Sequence, residues 1–219
     1  MELGAGILHV LLLLSLSCLN TSAAPVFNKT IKMCYQLAAE LNCSAPALLH
    51  SYLLAQGHPF DNANAALCKV GVKCLPEGHL ANMEENEMLK KIYIGVKQFD
   101  LHLKNVLVQQ RNMNPHKKKL HNELENTRTQ LISLESNILS ILHTRGYPVP
   151  KELECSPEHN GSPDNLFVQK QQGCAILQEF KRYVKKVLKS FHHLLRNIPG
   201  KAAVNHYSAC STPFGLHSS

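Results

Sequence analysis

The stretch DNLFVQKQQGCAILQEFKRYVKKVLKSFHHLLRNI, Asp164 to Ile198, decides how the rest of this chain is read. From Leu177 onward its apolar residues fall at Leu177, Phe180, Val184, Val187, Phe191, Leu194 and Ile198. Steps that alternate three and four place one continuous seam along a long helix. Followed backwards, the seam reaches Gly173 and then Lys170, a cation where a core residue is expected. Phe167 stands three residues earlier, off the seam but on the same face as Lys170. The first two turns therefore carry an aromatic and a cation that a helix core does not require, and a partner surface is expected there. A ring packed under the preceding loop beside a merely solvated lysine is the competing reading.

Three more helices can be read upstream. The first spans about Thr30 to Gln56, with Ile31, Leu37, Leu41, Leu48 and Leu53 among its apolar positions. Pro46 lies inside it, so a kink, or a restart capped by Ser44, is expected there. The second runs from about Met83 to Arg111, where Asn82 and Glu85 resemble a capping box, and its stripe is Leu89, Ile92, Val96, Phe99, Leu103 and Val106. The third is expected to begin with Asn114 as N-cap and Pro115 at the first helical position, and to stop at Gly146. Its seam is Leu120, Leu124, Thr127, Leu131, Leu134, Ile138 and Ile141. The fourth takes Asp164 as N-cap and ends at Pro199-Gly200. No run alternates as a strand does, so the class is all-α.

The connections set the topology. Residues 57–81 and 147–163 form long links, whereas the second and third helices nearly abut. A helix of about 28 residues is roughly 42 Å long, and a link of about 17 residues extends to roughly 56 Å. Each long link can return along the whole bundle, while the short one only turns a corner. Long–short–long predicts a long-chain four-helix bundle with the up-up-down-down order of helical cytokines.

The N-terminal residues 1–24 read as a signal peptide, because a short apolar run around Leu11–Leu14 ends in Thr21-Ser22-Ala23-Ala24. The expected mature chain has a bundle domain over 25–200 and a flexible tail over 201–219. Removing the leader takes away Glu2 and no Lys or Arg, so the net charge of +7 becomes +8. Outside the cell that charge points to acidic glycans or acidic receptor surfaces rather than nucleic acid, with an unpartnered solvated face as the alternative. Of eight cysteines, Cys18 leaves with the leader, and the remaining odd number leaves one free or intermolecular. No C-x-x-C pair or zinc-like His spacing occurs, so no metal or cofactor is expected. Glycosylation tripeptides stand at Asn28, Asn42 and Asn160.

Four blocks of residues carry a family likeness. They are Leu53-Leu54-Ala55-Gln56-Gly57-His58-Pro59-Phe60, Asn114-Pro115 with Ser136-Asn137-Ile138-Leu139, Gly146-Tyr147-Pro148-Val149-Pro150, and Asn165-Leu166-Phe167-Val168-Gln169-Lys170 with Gly173-Cys174. In that order and spacing the chain resembles the leukaemia inhibitory factor and ciliary neurotrophic factor branch of the interleukin-6 cytokine family, and a fish-type member would suit its mixed character. The resemblance implies that Phe167 and Lys170 bind a leukaemia inhibitory factor-type receptor. It also implies a second surface, on the outer faces of the first and third helices, for the shared signal-transducing glycoprotein receptor, with Gln36, Glu40, Ser133 and Asn137 at the corresponding positions. An ordinary solvated surface would equally carry those four polar residues. Joining the two receptors would activate JAK–STAT signalling by a secreted, monomeric ligand. The resemblance further implies a Cys68–Cys174 disulfide and leaves Cys34, Cys43, Cys74, Cys155 and Cys210 without inherited partners.

Two other classes compete. An enzyme is disfavoured, because the chain has no Gly-x-Ser-x-Gly elbow, no His-Glu-x-x-His and no phosphate loop. A heparan-sulfate- or membrane-surface-binding helical protein draws on Lys181, Lys185 and Lys189, which follow i, i+4 spacing opposite the seam. The solvent face of an ordinary bundle helix predicts the same stripe.

Overall fold

A computed structural model describes residues 3–62, 65–76, 80, 82–150, 155 and 165–198, with side chains from Val26 onward. Its α-helices are α1 (Leu3–Gln56), α2 (Glu85–Met113), α3 (Lys118–Thr144) and α4 (Leu166–Arg196), with a 3-10 turn at Ala65–Cys68. No strand occurs among the described residues. No helix among them is long and apolar enough to cross a membrane.

The seams become the core. Every residue of the α2 and α3 stripes is buried, as are Gly173, Leu177, Phe180, Val184, Val187, Phe191 and Leu194 of α4. Helix α1 contributes Ile31, Cys34, Ala38, Leu41, Ala45, Leu48 and Tyr52, whereas Leu37 and Leu53 are only half-buried. Phe99 of α2 meets Phe180 and Tyr183 of α4 with ring centroids 5.4 and 4.9 Å apart. Such ring pairs add to the area they bury.

Contacts at the two ends establish the helix directions. Where α1 and α2 both finish, Gln56 Nε2 donates to Gln110 Oε1 at 2.8 Å. Helix α4 starts at that end, since Lys170 Nζ donates to the Gln56 carbonyl at 2.8 Å. At the other end Arg145, just past α3, pairs with Glu85 at the start of α2 at 3.1 Å. The order is up-up-down-down, with α1 packed on α3 and α4, and α2 on α3 and α4.

Several helix boundaries differ from expectation. Helix α1 passes through Pro46 without a restart, and Ser44 Oγ donates to the Leu41 carbonyl at 3.3 Å instead of capping. Pro46 is exposed, and an outward proline leaves its orphaned i−4 carbonyl near water. Asn82 is no cap: its φ is +59°, and Glu84 precedes the first turn of α2 without a side-chain bond. Asn114 closes α2, its amide donating to the Gln110 carbonyl, and a turn precedes Lys118. The N-cap of α4 is Asn165, whose side chain accepts from the Phe167 and Val168 amides. Asp164 lies outside the described residues. Gly146 does end α3, at φ +66°, a value glycine adopts without strain.

Two disulfides cross the long links. Cys68–Cys174 joins the 3-10 turn to α4 across 106 residues, and Cys74–Cys155 joins the two links across 81. In the chain-entropy model each closure stabilises by about 4–5 kcal/mol. The second pairing resolves part of what the sequence left open. Among the described cysteines Cys34 is the free one, buried in the core, and burial pushes its pKa up to about 12.

Candidate functional site

Phe167 and Lys170 sit at the end of the bundle where α1 finishes and α4 begins. Asn165 fixes the start of α4, so Phe167 is held in the first turn of a capped helix. Its ring lies 5.5 Å from that of Phe60, which is buried to 1 % exposure while Phe167 itself remains 42 % exposed. Phe60 is placed by a tight turn in which its amide donates to the Gly57 carbonyl at 2.8 Å. Neighbouring Leu166 is 58 % exposed. The arrangement is a rigid apolar knob that rests on one buried ring and shows its other face to solvent.

Lys170 has a second task that the sequence did not reveal. Its bond to the Gln56 carbonyl places a cation against the C-terminus of α1, where the helix dipole favours positive charge. That bond uses one ammonium donor, leaving the others for a partner. The Lys170 carbonyl in turn accepts from the Tyr52 hydroxyl at 3.1 Å. Tyr52 fits because a Cβ at Gly173 would overlap its hydroxyl. Tyr183 of α4 repeats the device against Gly95 of α2, donating to the Ile92 carbonyl at 3.1 Å. Lys170 is therefore neither a plain core defect nor a loosely solvated cation.

The residues expected for a second surface come together. Gln36, Glu40, Ser133 and Asn137 all line one open groove between α1 and α3, beside Met33, Leu37, Ile132 and Ser136. Met33 and Ile132 are 41 % and 50 % exposed. The sequence reading missed both, although each is an apolar residue off its helix's seam. Glu40 Oε2 accepts from Gln130 Nε2 at 3.2 Å, which bridges the two helices, while Ser133 Oγ donates within its own helix to the Thr129 carbonyl.

Lys181, Lys185 and Lys189 are exposed along the outer face of α4, and none has a carboxylate partner among the described residues. A further cavity of about 500 Å³ opens at the opposite end of the bundle from Phe167, lined in part by Phe27, Asn28, Met83 and His193. There the Arg145 guanidinium lies 3.9 Å above the Phe27 ring, a cation–π geometry. Asn28 and Asn42 are on α1; Asn160 and Cys210 lie outside the described residues.

Long paired helices with two return links are the architecture of helical cytokines, and the family match makes the chain a signalling ligand of that class rather than an enzyme. The profile of the LIF / OSM family matches residues 29–191, and the chain belongs to that family, within the interleukin-6 cytokines. Cardiotrophin-2 of Mus musculus is 28% identical over 173 residues, which covers 76% of this chain and 84% of that protein.

Proposed function

We propose that this cytokine is secreted and acts by joining two receptors. Phe167 and Lys170 capture a leukaemia inhibitory factor-type receptor, and the α1/α3 groove recruits the shared signal-transducing glycoprotein receptor, with JAK–STAT activation as the consequence. The half-exposed Phe167 ring, braced on buried Phe60 beside Lys170, carries this reading. A pre-positioned aromatic loses little freedom on binding, and hot spots favour such anchors surrounded by directed charge. The groove supports the second half by gathering Gln36, Glu40, Ser133 and Asn137 with two exposed apolar residues. Secretion rests on the leader-like residues 1–24 and on disulfides suited to an oxidising compartment.

The test is assembly of a ternary complex. Mixed with both receptor ectodomains, the wild type is expected to form a one-to-one-to-one species in sedimentation velocity. An Asn137→Arg variant is expected to stop at the binary complex with the first receptor. Ternary assembly undiminished by Asn137→Arg would remove the groove from the interface. The unpaired Lys181, Lys185 and Lys189 face favours an auxiliary role in holding heparan sulfate, and retention on heparin should then fall in the triple alanine variant.

A further inference from the structure

Cys43 is held in a disulfide, yet the other described cysteines are accounted for, with Cys68 on Cys174, Cys74 on Cys155, and Cys34 free. Cys18 belongs to the same continuous helix as Cys43. About 25 residues separate them, roughly 37 Å along the axis, whereas a disulfide needs Cα atoms within about 7 Å. Of the cysteines in this sequence, Cys210 is the one that remains.

The geometry allows that link. Ile198, just past α4, lines the end cavity with Phe27 and Ile31 of α1. Ile31 to Cys43 is a rise of roughly 18 Å, while the chain from Ile198 to Cys210 can span roughly 40 Å. Cys43 stands three residues beyond Glu40 and seven beyond Gln36, so all three share one face of α1. The tether point therefore stands beside the α1/α3 groove, with the exposed Met33 and Ile132 below it.

Residues 211–219, Ser-Thr-Pro-Phe-Gly-Leu-His-Ser-Ser, carry Phe214 and Leu216 and no Asp, Glu, Lys or Arg. Phe214 can reach roughly 13 Å from Cys210, and Leu37 and Met33 lie roughly 9–15 Å below Cys43 along the helix. We propose that a Cys43–Cys210 disulfide tethers the C-terminal tail and that residues 211–219 dock in the α1/α3 groove, with Phe214 and Leu216 against Met33 and Ile132. The groove's occupant is then a segment of the chain itself that offers two large apolar side chains and no Asp, Glu, Lys or Arg. A docked tail covers the groove proposed above for the shared receptor, so it must leave before that receptor binds there.

Proteolysis of the full chain without reduction, followed by mass spectrometry, should yield a peptide pair joining Cys43 to Cys210 that separates on reduction. Hydroxyl-radical labelling of Met33 should be several-fold faster in the Phe214→Ser/Leu216→Ser variant, which keeps the disulfide, and in Cys43→Ser/Cys210→Ser. Cys43 joined to another cysteine, or to a second chain, overturns the tether. Equal Met33 labelling in all three proteins overturns the docking.

Discussion

Gly173→Ala is a perturbation whose sign separates two accounts of α4. In an open helix position alanine is better than glycine by about 1 kcal/mol, so a merely tolerated glycine predicts stabilisation. Gly173 is instead covered by Tyr52, whose hydroxyl a new Cβ would overlap and whose ring carbons lie close behind it. Tyr52 is 0 % exposed and tied to the Lys170 carbonyl, so the ring has little room to yield. Overpacking of this kind costs about 1–3 kcal/mol, which outweighs the propensity gain or cancels it at the low end. Urea denaturation should show Gly173→Ala less stable than wild type by up to about 2 kcal/mol, the difference between those two effects. In a Tyr52→Leu background, where the ring is gone, the same substitution should become neutral or stabilising. Gly95→Ala should follow the same pattern through Tyr183. A Gly173→Ala protein more stable than wild type would refute the close-packing argument.

Other consequences follow from burial and covalent linkage. The Cys34 thiol, with its pKa pushed up to about 12 by burial, should resist maleimide at mildly alkaline pH and react only on unfolding; native-state labelling at the rate of a free thiol would contradict this. His102 is buried and its pKa is lowered, chiefly by desolvation against a partial opposing effect of the Cys74 carbonyl. Below the ordinary value of 6.5 the unfolded chain takes up the proton first, so stability should fall with pH by up to about 1.4 kcal/mol per unit, down to the lowered native pKa. His102→Gln should flatten that slope, and an unchanged slope would assign it elsewhere. Replacing Cys68 and Cys174 together by serine should cost about 2–5 kcal/mol by chemical denaturation, and a negligible change would mean that the unfolded chain is not constrained as supposed.

The fold was legible because its governing signal is periodic and repeated. Seams of six or seven residues on α2, α3 and α4 survive local noise, and every position on the α2 and α3 seams is buried. Boundaries were less legible, since caps depend on one or two residues. Asn114-Pro115 reads as a helix start, but Asn114 closes the preceding helix, and Asn82 adopts a left-handed backbone. The Tyr52–Gly173 and Tyr183–Gly95 pairs join residues about a hundred positions apart, which no local pattern reveals. At the site, the sequence isolated Phe167 and Lys170 because they broke the seam. It could not show that Phe60 supports one while the end of α1 engages the other.

That double use of Lys170 dictates how the receptor reading must be tested. Lys170→Ala removes a bond to the end of α1 as well as any receptor contact, so its effect on binding is mixed with one on stability. Phe167→Ala is cleaner, because the ring is half-exposed and its removal breaks no hydrogen bond, only the packing against Phe60. The decisive measurement is the affinity of the purified protein and its Phe167→Ala variant, matched for helicity, for a leukaemia inhibitory factor-type receptor ectodomain. A hot spot predicts a loss of about 2–4 kcal/mol, roughly 30- to 1,000-fold in Kd. Equal affinity of the two folded proteins would contradict it and move the contact off the start of α4.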